Sequence, residues 1–165
     1  MNAVLKNKKC IIESNNLKSK LVEKGYGQKK EVSLELDLFE SHYLLENKKI
    51  TIIKEAKEIK LKDFKEYCEK NIKSFNDKYL VYKDFKEKGF IVKDGAIFGF
   101  DFRVYEGKNK NHEHTKYVVD VKRTHKDEMS KVIKSERLAN SIKTKYIIAI
   151  IDLEDKITKI KLERI

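Results

Sequence analysis

The chain has 165 residues, of which 40% are apolar, enough for one ordinary domain or for two small domains that share an interface. Lys and Arg outnumber Asp and Glu by 38 to 27, and the net charge of +11 favours a polyanionic partner, although a solvated lysine-rich surface would give the same value. The sequence lacks both a signal-peptide pattern and an apolar run of the roughly 20 residues that a membrane-spanning helix needs. We therefore expect a soluble cytoplasmic protein without a membrane partner.

The two cysteines, Cys10 and Cys68, are too few and too far apart in sequence to predict a disulfide framework or a zinc site. Both are expected to be buried thiols in a reducing compartment. No metal or other cofactor is expected.

In the first part of the chain, alternating apolar residues predict short strands, and apolar residues three and four apart predict helices. Asp37 is expected to cap a helix that has Leu38, Phe39, His42 and Leu45 on one face. The strands are predicted at Val4 to Lys6, Cys10 to Ile12, Val32 to Leu36 and Ile50 to Ile53, and further helices from residue 15 or 16 to Glu23 and through Leu61, Phe64 and Cys68.

The polar segment 70–76 marks the predicted boundary between two domains, 1–70 and 71–165. Asp77 is expected to cap a helix that ends before Gly89, and Asp94-Gly95 is typical of a hairpin. A long helix is predicted over 127–142 with Val132, Ile133, Leu138, Ala139 and Ile142 as its buried stripe. Strands are predicted at Phe90 to Lys93, Ala96 to Phe100, Phe102 to Tyr105, Tyr117 to Val121, Tyr146 to Ile151 and Ile157 to Leu162. Strands gathered around a few helices indicate an α+β fold.

Three stretches of the second part carry a resemblance to a known family. They are YLVYKDFKEKGFIVKDGAIFGFDFRVY from Tyr79, HTKYVV from His114 and RLANSIKTKYIIAIID from Arg137. These stretches resemble the archaeal tRNA-splicing endonucleases. The likeness is dense from Tyr79 to Asp152 and thin before it, where it depends mainly on SLELDLFESHYL from Ser33.

The resemblance implies a small N-terminal α/β domain followed by a nuclease-like C-terminal domain with a mixed β-sheet flanked by helices. It also implies a metal-independent endoribonuclease that excises introns from precursor tRNA at bulge-helix-bulge splice sites. Such an enzyme leaves 2′,3′-cyclic phosphate and 5′-hydroxyl ends. The family members of this size act as four chains, which implies a homotetramer or an assembly with a second subunit type.

The resemblance also implies the catalytic residues. Tyr105, in the context FGFDFRVY, corresponds to the general base that removes the proton of the ribose 2′-hydroxyl. His114, which precedes Tyr117 and Val118 in an H-x-x-Y-hydrophobic pattern, corresponds to the general acid that protonates the departing 5′-oxygen. His112 lacks this spacing and is interpreted as a loop residue.

The third catalytic group of the family is a lysine that stabilises the charged phosphorane, and the present chain has Thr144 at that position. Lys143 and Lys145 flank it. Successive strand residues point to opposite faces, so neither lysine takes over unless the preceding turn shifts by one residue. We favour Lys145 over Lys143, and a site that has no lysine and is crippled is the third possibility.

Two further features of the family have counterparts in the chain. Arg137 aligns with an arginine that holds an extruded nucleotide, a task suited to a planar guanidinium that stacks on bases, and Lys143 is expected to contact RNA beside it. Asp152, Glu154 and Asp155 align with an acidic loop that contacts a neighbouring subunit.

Two alternative functions stay open at this point. Because Thr144 replaces the expected lysine, the chain could be a non-catalytic subunit of a heteromeric endonuclease, although such subunits usually lose more of the site. Asp120-Val121-Lys122, together with Asp101, also imitates the carboxylate-carboxylate-lysine site of metal-dependent nucleases. That pattern is short and explains neither the tyrosine nor the histidine, so we favour it least.

Overall fold

The computed structural model describes residues 2–13, 15–107, 114–123 and 129–163 of the chain. The chain divides into two compact units, Met1–Phe75 and Asn76–Ile165, whereas the boundary expected from the sequence lies after Lys70. Each unit combines its own sheet with helices, which confirms the α+β class. Within the described ranges, every helix is too short or too polar to pass through a lipid bilayer.

In the described part of the first unit, six strands form one sheet and are accompanied by three helices. In chain order the elements are β1 (Asn2–Lys6), β2 (Lys9–Ile12), α1 (Asn15–Glu23), β3 (Gln28–Lys29), β4 (Leu34–Leu36), α2 (Leu38–Glu46), β5 (Thr51–Lys54), β6 (Lys57–Ile59) and α3 (Leu61–Asn71). The strand order is β3-β4-β2-β1-β5-β6, with β1 and β5 parallel. The two edge strands, β3 and β6, are short and polar, which is why apolar alternation did not predict them.

Helix α2 begins where the sequence predicts. Asp37 Oδ1 accepts a hydrogen bond from the Glu40 main-chain N at 2.8 Å, and Glu40 Oε2 accepts one from the Asp37 N at 3.1 Å. This reciprocal pair binds main-chain donors at the start of the helix, where the first turn has no acceptors of its own for them. Cys10 and Cys68 are buried in the same unit, as predicted, and burial raises the pKa of the Cys10 thiol to about 11.

In the described part of the second unit, five strands form a mixed sheet with a helix on each face. The elements are α4 (Phe75–Glu87), β7 (Ile91–Asp94), β8 (Phe102–Tyr105), β9 (Tyr117–Lys122), α5 (Met129–Ser141), β10 (Lys145–Ile151) and β11 (Ile157–Leu162). The strand order is β11-β10-β9-β8-β7. Strands β9 and β10 are parallel, and the other neighbours are antiparallel, so the predicted mixed sheet flanked by helices is confirmed.

The two faces of this second sheet are covered by different helices. Val118 and Tyr146 form a buried cluster with Ala139 of α5, and we call this side the α5 face. Phe102 points the other way, and its ring lies 6.1 Å from the ring of Tyr82 in α4, so we call that side the α4 face. Because side chains alternate along a strand, the pairing register assigns every residue of these strands to one of the two faces.

Helix α4 starts earlier than predicted. It begins at Phe75, so Asp77 lies in its first turn and is not its cap. The Phe75 ring stacks on Phe39 at 5.2 Å within the first unit. This apolar contact favours order in a segment whose polar composition had suggested a domain boundary.

The predicted strand from Ala96 to Phe100 is wrong. The structure has a short 3₁₀ helix, Ala96–Phe98, followed by Gly99 in the left-handed conformation at φ 80°. The Asp94 carboxylate accepts a hydrogen bond from the Ala96 N at 2.8 Å, which turns the chain before a strand can form. Strand β7 pairs instead with β8, so the hairpin turns through residues 95–101 and not at Asp94-Gly95 alone.

Helix α5 buries a narrower stripe than predicted. Val132, Ala139 and Ile142 pack in the core cluster. Ile133 and Leu138 are 44% and 41% exposed, because each lies one residue away from a buried position and is rotated towards solvent. The expected start of the helix at Asp127 lies outside the described residues.

Candidate active site

Tyr105 is the last residue of β8 and lies on the α5 face. Its neighbour Val104 pairs with Tyr117, which precedes Val118 of the α5 face, so Val104 points to the α4 face and Tyr105 to the α5 face. Tyr105 is 8% exposed. The Arg103 guanidinium carbon lies 6.0 Å from the centre of its ring.

Arg103 is a functional candidate that the sequence reasoning missed. Its guanidinium also lies 5.1 Å from the Phe98 ring, and its Nε donates a hydrogen bond to the Asp94 carbonyl at 3.0 Å. These contacts hold a cation beside Tyr105. The signal was present in the sequence, because residues two apart on a strand share a face.

His114 lies on the segment that leads into β9 and is exposed. Two residues later, the Lys116 N donates a hydrogen bond to the Val104 carbonyl at 2.8 Å, which fixes this segment beside the end of β8. The end of β8 that carries Tyr105 and the approach to β9 that carries His114 therefore lie at the same edge of the sheet, the one formed by the ends of its strands. His112 lies outside the described residues.

The turn between α5 and β10 brings Thr144 to this edge. The Lys143 N donates to the Asn140 carbonyl and the Thr144 N to the Ala139 carbonyl, both at 3.0 Å, which with Lys143 at φ 55° forms a Schellman motif. Thr144 is 5% exposed, and its hydroxyl donates a hydrogen bond to the Thr115 carbonyl at 2.9 Å.

The register separates the two candidate lysines. Lys145 pairs with Tyr117 and therefore points to the α4 face, opposite the face of Tyr105. Its Nζ lies 2.8 Å from Glu163, and this ion pair raises the pKa of the Lys145 ammonium. Lys143 is exposed in the turn and has no ion pair within the described ranges. The arrangement favours Lys143, the reverse of the preference drawn from the sequence.

Arg137 lies on the exposed side of α5. No side chain in the described part of the chain forms an ion pair with its guanidinium. The planar cation is therefore open to contact from solvent.

The acidic residues 152–155 form the turn between β10 and β11. Asp152 Oδ1 accepts hydrogen bonds from the main-chain N of Glu154 and of Lys156, at 2.8 and 2.9 Å, and so shapes the turn. Glu154 pairs with the Lys156 ammonium at 2.8 Å, and Asp155 pairs with Arg123 at 2.8 Å. All three carboxylates thus have contacts within their own unit.

Of the residues of the metal-dependent alternative, Asp120 and Lys122 lie in the second half of β9, and Asp101 directly precedes β8. Asp120 accepts a hydrogen bond from the Tyr146 hydroxyl at 2.7 Å, and burial raises the pKa of the Asp120 carboxyl. Asp101 accepts one from the Val121 N at 2.8 Å and pairs with Lys78 at 2.7 Å. Among the described residues, His, Cys, Asp and Glu side chains do not gather in threes around a possible metal position.

Both units of the chain match models of known protein families. Residues 1–65 match the family model described as tRNA intron endonuclease, N-terminal domain, and residues 75–159 match tRNA intron endonuclease, catalytic C-terminal domain. The chain belongs to the tRNA intron endonuclease family. The edge formed by β8, β9 and β10 lies within the part that matches the catalytic domain of this family.

Several tRNA-splicing endonucleases are similar to this family member over most of its length. The protein of Pyrococcus abyssi is 33% identical over 141 residues, which cover 85% of this chain and 81% of the relative. That of Methanococcus maripaludis is 33% identical over 159 residues, which cover 94% and 89%. That of Methanothermobacter thermautotrophicus is 33% identical over 138 residues, which cover 81% and 78%.

Proposed function

We propose that this endonuclease-family chain is a metal-independent endoribonuclease that excises introns from precursor tRNA at bulge-helix-bulge sites. The observation that carries the proposal is the meeting of three segments at one sheet edge: the end of β8 with Tyr105, the approach to β9 with His114, and the turn at 143–145. The family membership and the names of the relatives support the choice of substrate.

In the proposed reaction the substrate supplies its own nucleophile. Tyr105 takes the proton of the ribose 2′-hydroxyl while the 2′-oxygen bonds to phosphorus. His114 gives its proton to the 5′-oxygen as the bond between that oxygen and phosphorus breaks. The products are a 2′,3′-cyclic phosphate and a 5′-hydroxyl, and neither step needs a metal ion.

The third proposed group is a cation for the phosphorane. Thr144 is neutral, so the charge must come from another side chain. Lys143 is exposed and has no ion pair in the described part of the chain, whereas Lys145 points to the α4 face and pairs with Glu163. We therefore assign the role to Lys143 and keep Lys145 as the second candidate.

The remaining assignments concern RNA and subunits. Arg137 is proposed to stack on an extruded nucleotide, and its exposure supports this role. The net charge of +11 favours contact with tRNA phosphates. Asp152, Glu154 and Asp155 are proposed to contact a neighbouring subunit in a homotetramer or in an assembly with a second type of chain.

A second candidate function is a partly degenerate subunit that supports an active partner. The observation that favours it is the neutral Thr144, which is buried at the position where the family has lysine. The presence of both Tyr105 and His114 argues for the catalytic alternative.

An assay of the purified chain with intron-containing precursor tRNA in EDTA tests the proposal. We expect cleavage at both splice sites to cyclic-phosphate ends, and we expect a 2′-deoxy substitution at each site to abolish it. Activity that appears only after a second polypeptide is added, and that survives His114→Ala in this chain, would support the degenerate-subunit function. Cleavage that needs magnesium and tolerates the 2′-deoxy substitution would support the carboxylate site instead.

A further inference from the structure

The neutral residue at the expected lysine position makes a specific contact with the segment that carries His114. Thr144 is 5% exposed, and its hydroxyl donates to the Thr115 carbonyl at 2.9 Å. Residues 115 and 144 are 29 positions apart, so the bond joins two distant segments of the chain. A threonine whose hydroxyl proton is used in this way supplies no charge to a phosphate.

We propose that Thr144 is a positioning residue that holds the imidazole of His114 at the cleavage site through its hydrogen bond to Thr115. This inference depends on the proposed function, because it assigns His114 the acid role. A lysine at position 144 has no hydroxyl, so it would hold the Thr115 carbonyl through a different contact or not at all.

The main chain on both sides of the bond is fixed. Thr144 follows the left-handed residue of a Schellman motif, and its own N donates to the Ala139 carbonyl at 3.0 Å, so helix α5 sets the position of the hydroxyl. Beyond Thr115, the Lys116 N donates to the Val104 carbonyl at 2.8 Å, which joins the segment to β8.

The peptide group between Thr115 and Lys116, one residue after His114, is thus held from two sides. Its N–H donates to the Val104 carbonyl of β8, and its carbonyl accepts from the Thr144 hydroxyl. Without the hydroxyl, only the bond to β8 would remain of the two hydrogen bonds that hold this group among the described residues. A catalytic acid that is held less firmly spends less time within proton-transfer distance of its leaving group, which lowers the rate of the chemical step and not the affinity for RNA.

Thr144→Val tests this role, because valine keeps the branched shape of threonine and replaces its hydroxyl with a methyl group that cannot donate a hydrogen bond. We expect kcat to fall about fivefold to tenfold, with KM changed by less than about twofold. Thr144→Ser restores the hydroxyl and should return kcat to within about twofold of the wild-type value. Thr158→Val makes the same chemical change at an exposed position of β11 and is the matched control.

A substrate with sulfur in place of the bridging 5′-oxygen separates positioning of the acid from general damage. A thiol ionises near pH 8.5, so the thiolate leaves without a proton from His114. We expect the defect of Thr144→Val to disappear with this substrate, as the defect of His114→Ala should. An equal defect with both substrates, or none with the oxygen substrate, would overturn the inference.

Hydrogen exchange gives a readout without substrate. We expect the Lys116 amide to exchange faster in Thr144→Val than in Thr144→Ser, and an unchanged rate would contradict the proposed anchor. If the valine variant melts below the assay temperature, Thr144→Ala is assayed at a lower temperature, where we expect it to show the same fall in kcat. Failure of the wild-type chain to cleave, alone or with a partner subunit, would reject the proposed function itself, whereas wild-type cleavage with an unaffected valine variant would reject only the role of Thr144.

Discussion

Strand β9 has polar side chains near both of its ends, and the two sets differ in what surrounds them. Near the later end, Asp120 is half-buried and accepts a hydrogen bond from Tyr146, while Asp101 is bound by Lys78 and by a main-chain N. At the earlier end, His114 is exposed beside the end of β8. Both sets had the residue types of a nuclease. At the later end the carboxylates already bind groups of their own unit, which stabilises the fold, whereas His114 is exposed where three segments meet and can contact a substrate.

Replacing His114 should have the largest effect on the cleavage rate. A variant that cleaves normally would contradict the difference that we draw between the two ends of β9. We expect His114→Ala to lower the single-turnover rate of precursor tRNA cleavage in EDTA by about two to four orders of magnitude, the usual span for a general acid. The melting temperature should stay the same, because the side chain is exposed. Wild-type turnover in this variant would remove His114 from the mechanism.

A substitution near the later end of β9 should lower the stability of the protein and leave cleavage unchanged. We expect Asp120→Ala to lower the free energy of unfolding by about 1–3 kcal/mol, because the Tyr146 hydroxyl loses its acceptor inside the sheet–helix layer. Urea denaturation measures the loss, and Tyr146→Phe, which removes the donor, is the matched variant. Folded Asp120→Ala protein should cleave in EDTA at close to the wild-type rate. Unchanged stability combined with lost magnesium-dependent cleavage would instead revive the metal site.

The sequence predicts much of this unit because strand signals are local. Alternation located β8, β9, β10 and β11 to within a residue or two, and the resemblance predicted that their sheet would be mixed. The strand expected at Ala96 failed because a single side-chain bond from Asp94 turns the chain there, and apolar content does not report such a bond.

The details of the site depend on contacts between distant segments. Which face Lys145 occupies is set by its pairing with Tyr117, and the face of Tyr105 is set by the pairing of its neighbour Val104 with the same residue. The bond between Thr144 and Thr115 is likewise non-local. Propensity and spacing describe one segment at a time, so the sequence alone named the two lysines and favoured Lys145 without the register that shows which face it occupies.

The two lysines allow a direct test of the face assignment. We expect Lys143→Ala to lower the cleavage rate about tenfold, a modest loss for a charge-stabilising group because the ammonium is exposed and screened by solvent. Lys145→Ala should change the rate by less than about twofold, since it removes an exposed ion pair with Glu163 on the other face. Rates measured at several salt concentrations would separate a local effect from loss of general RNA affinity. The reverse order of the two defects would return the catalytic role to Lys145.

The smallest expected effect concerns Arg137, which is exposed on α5 and has no ion pair within the described ranges. Stacking of a guanidinium on a base at an exposed site contributes about 0.5–1 kcal/mol, so Arg137→Ala should weaken binding of precursor tRNA about twofold to fivefold, measured with a non-cleavable 2′-deoxy substrate. Lys134→Ala removes an equal charge from an exposed position on the same helix and is the control for general electrostatics. The melting temperature of both variants should match that of the wild type. Equal losses of affinity in both variants would indicate that Arg137 only contacts phosphate. A loss that is specific to Arg137→Ala, and largest for substrates with an unpaired bulge base, would support stacking.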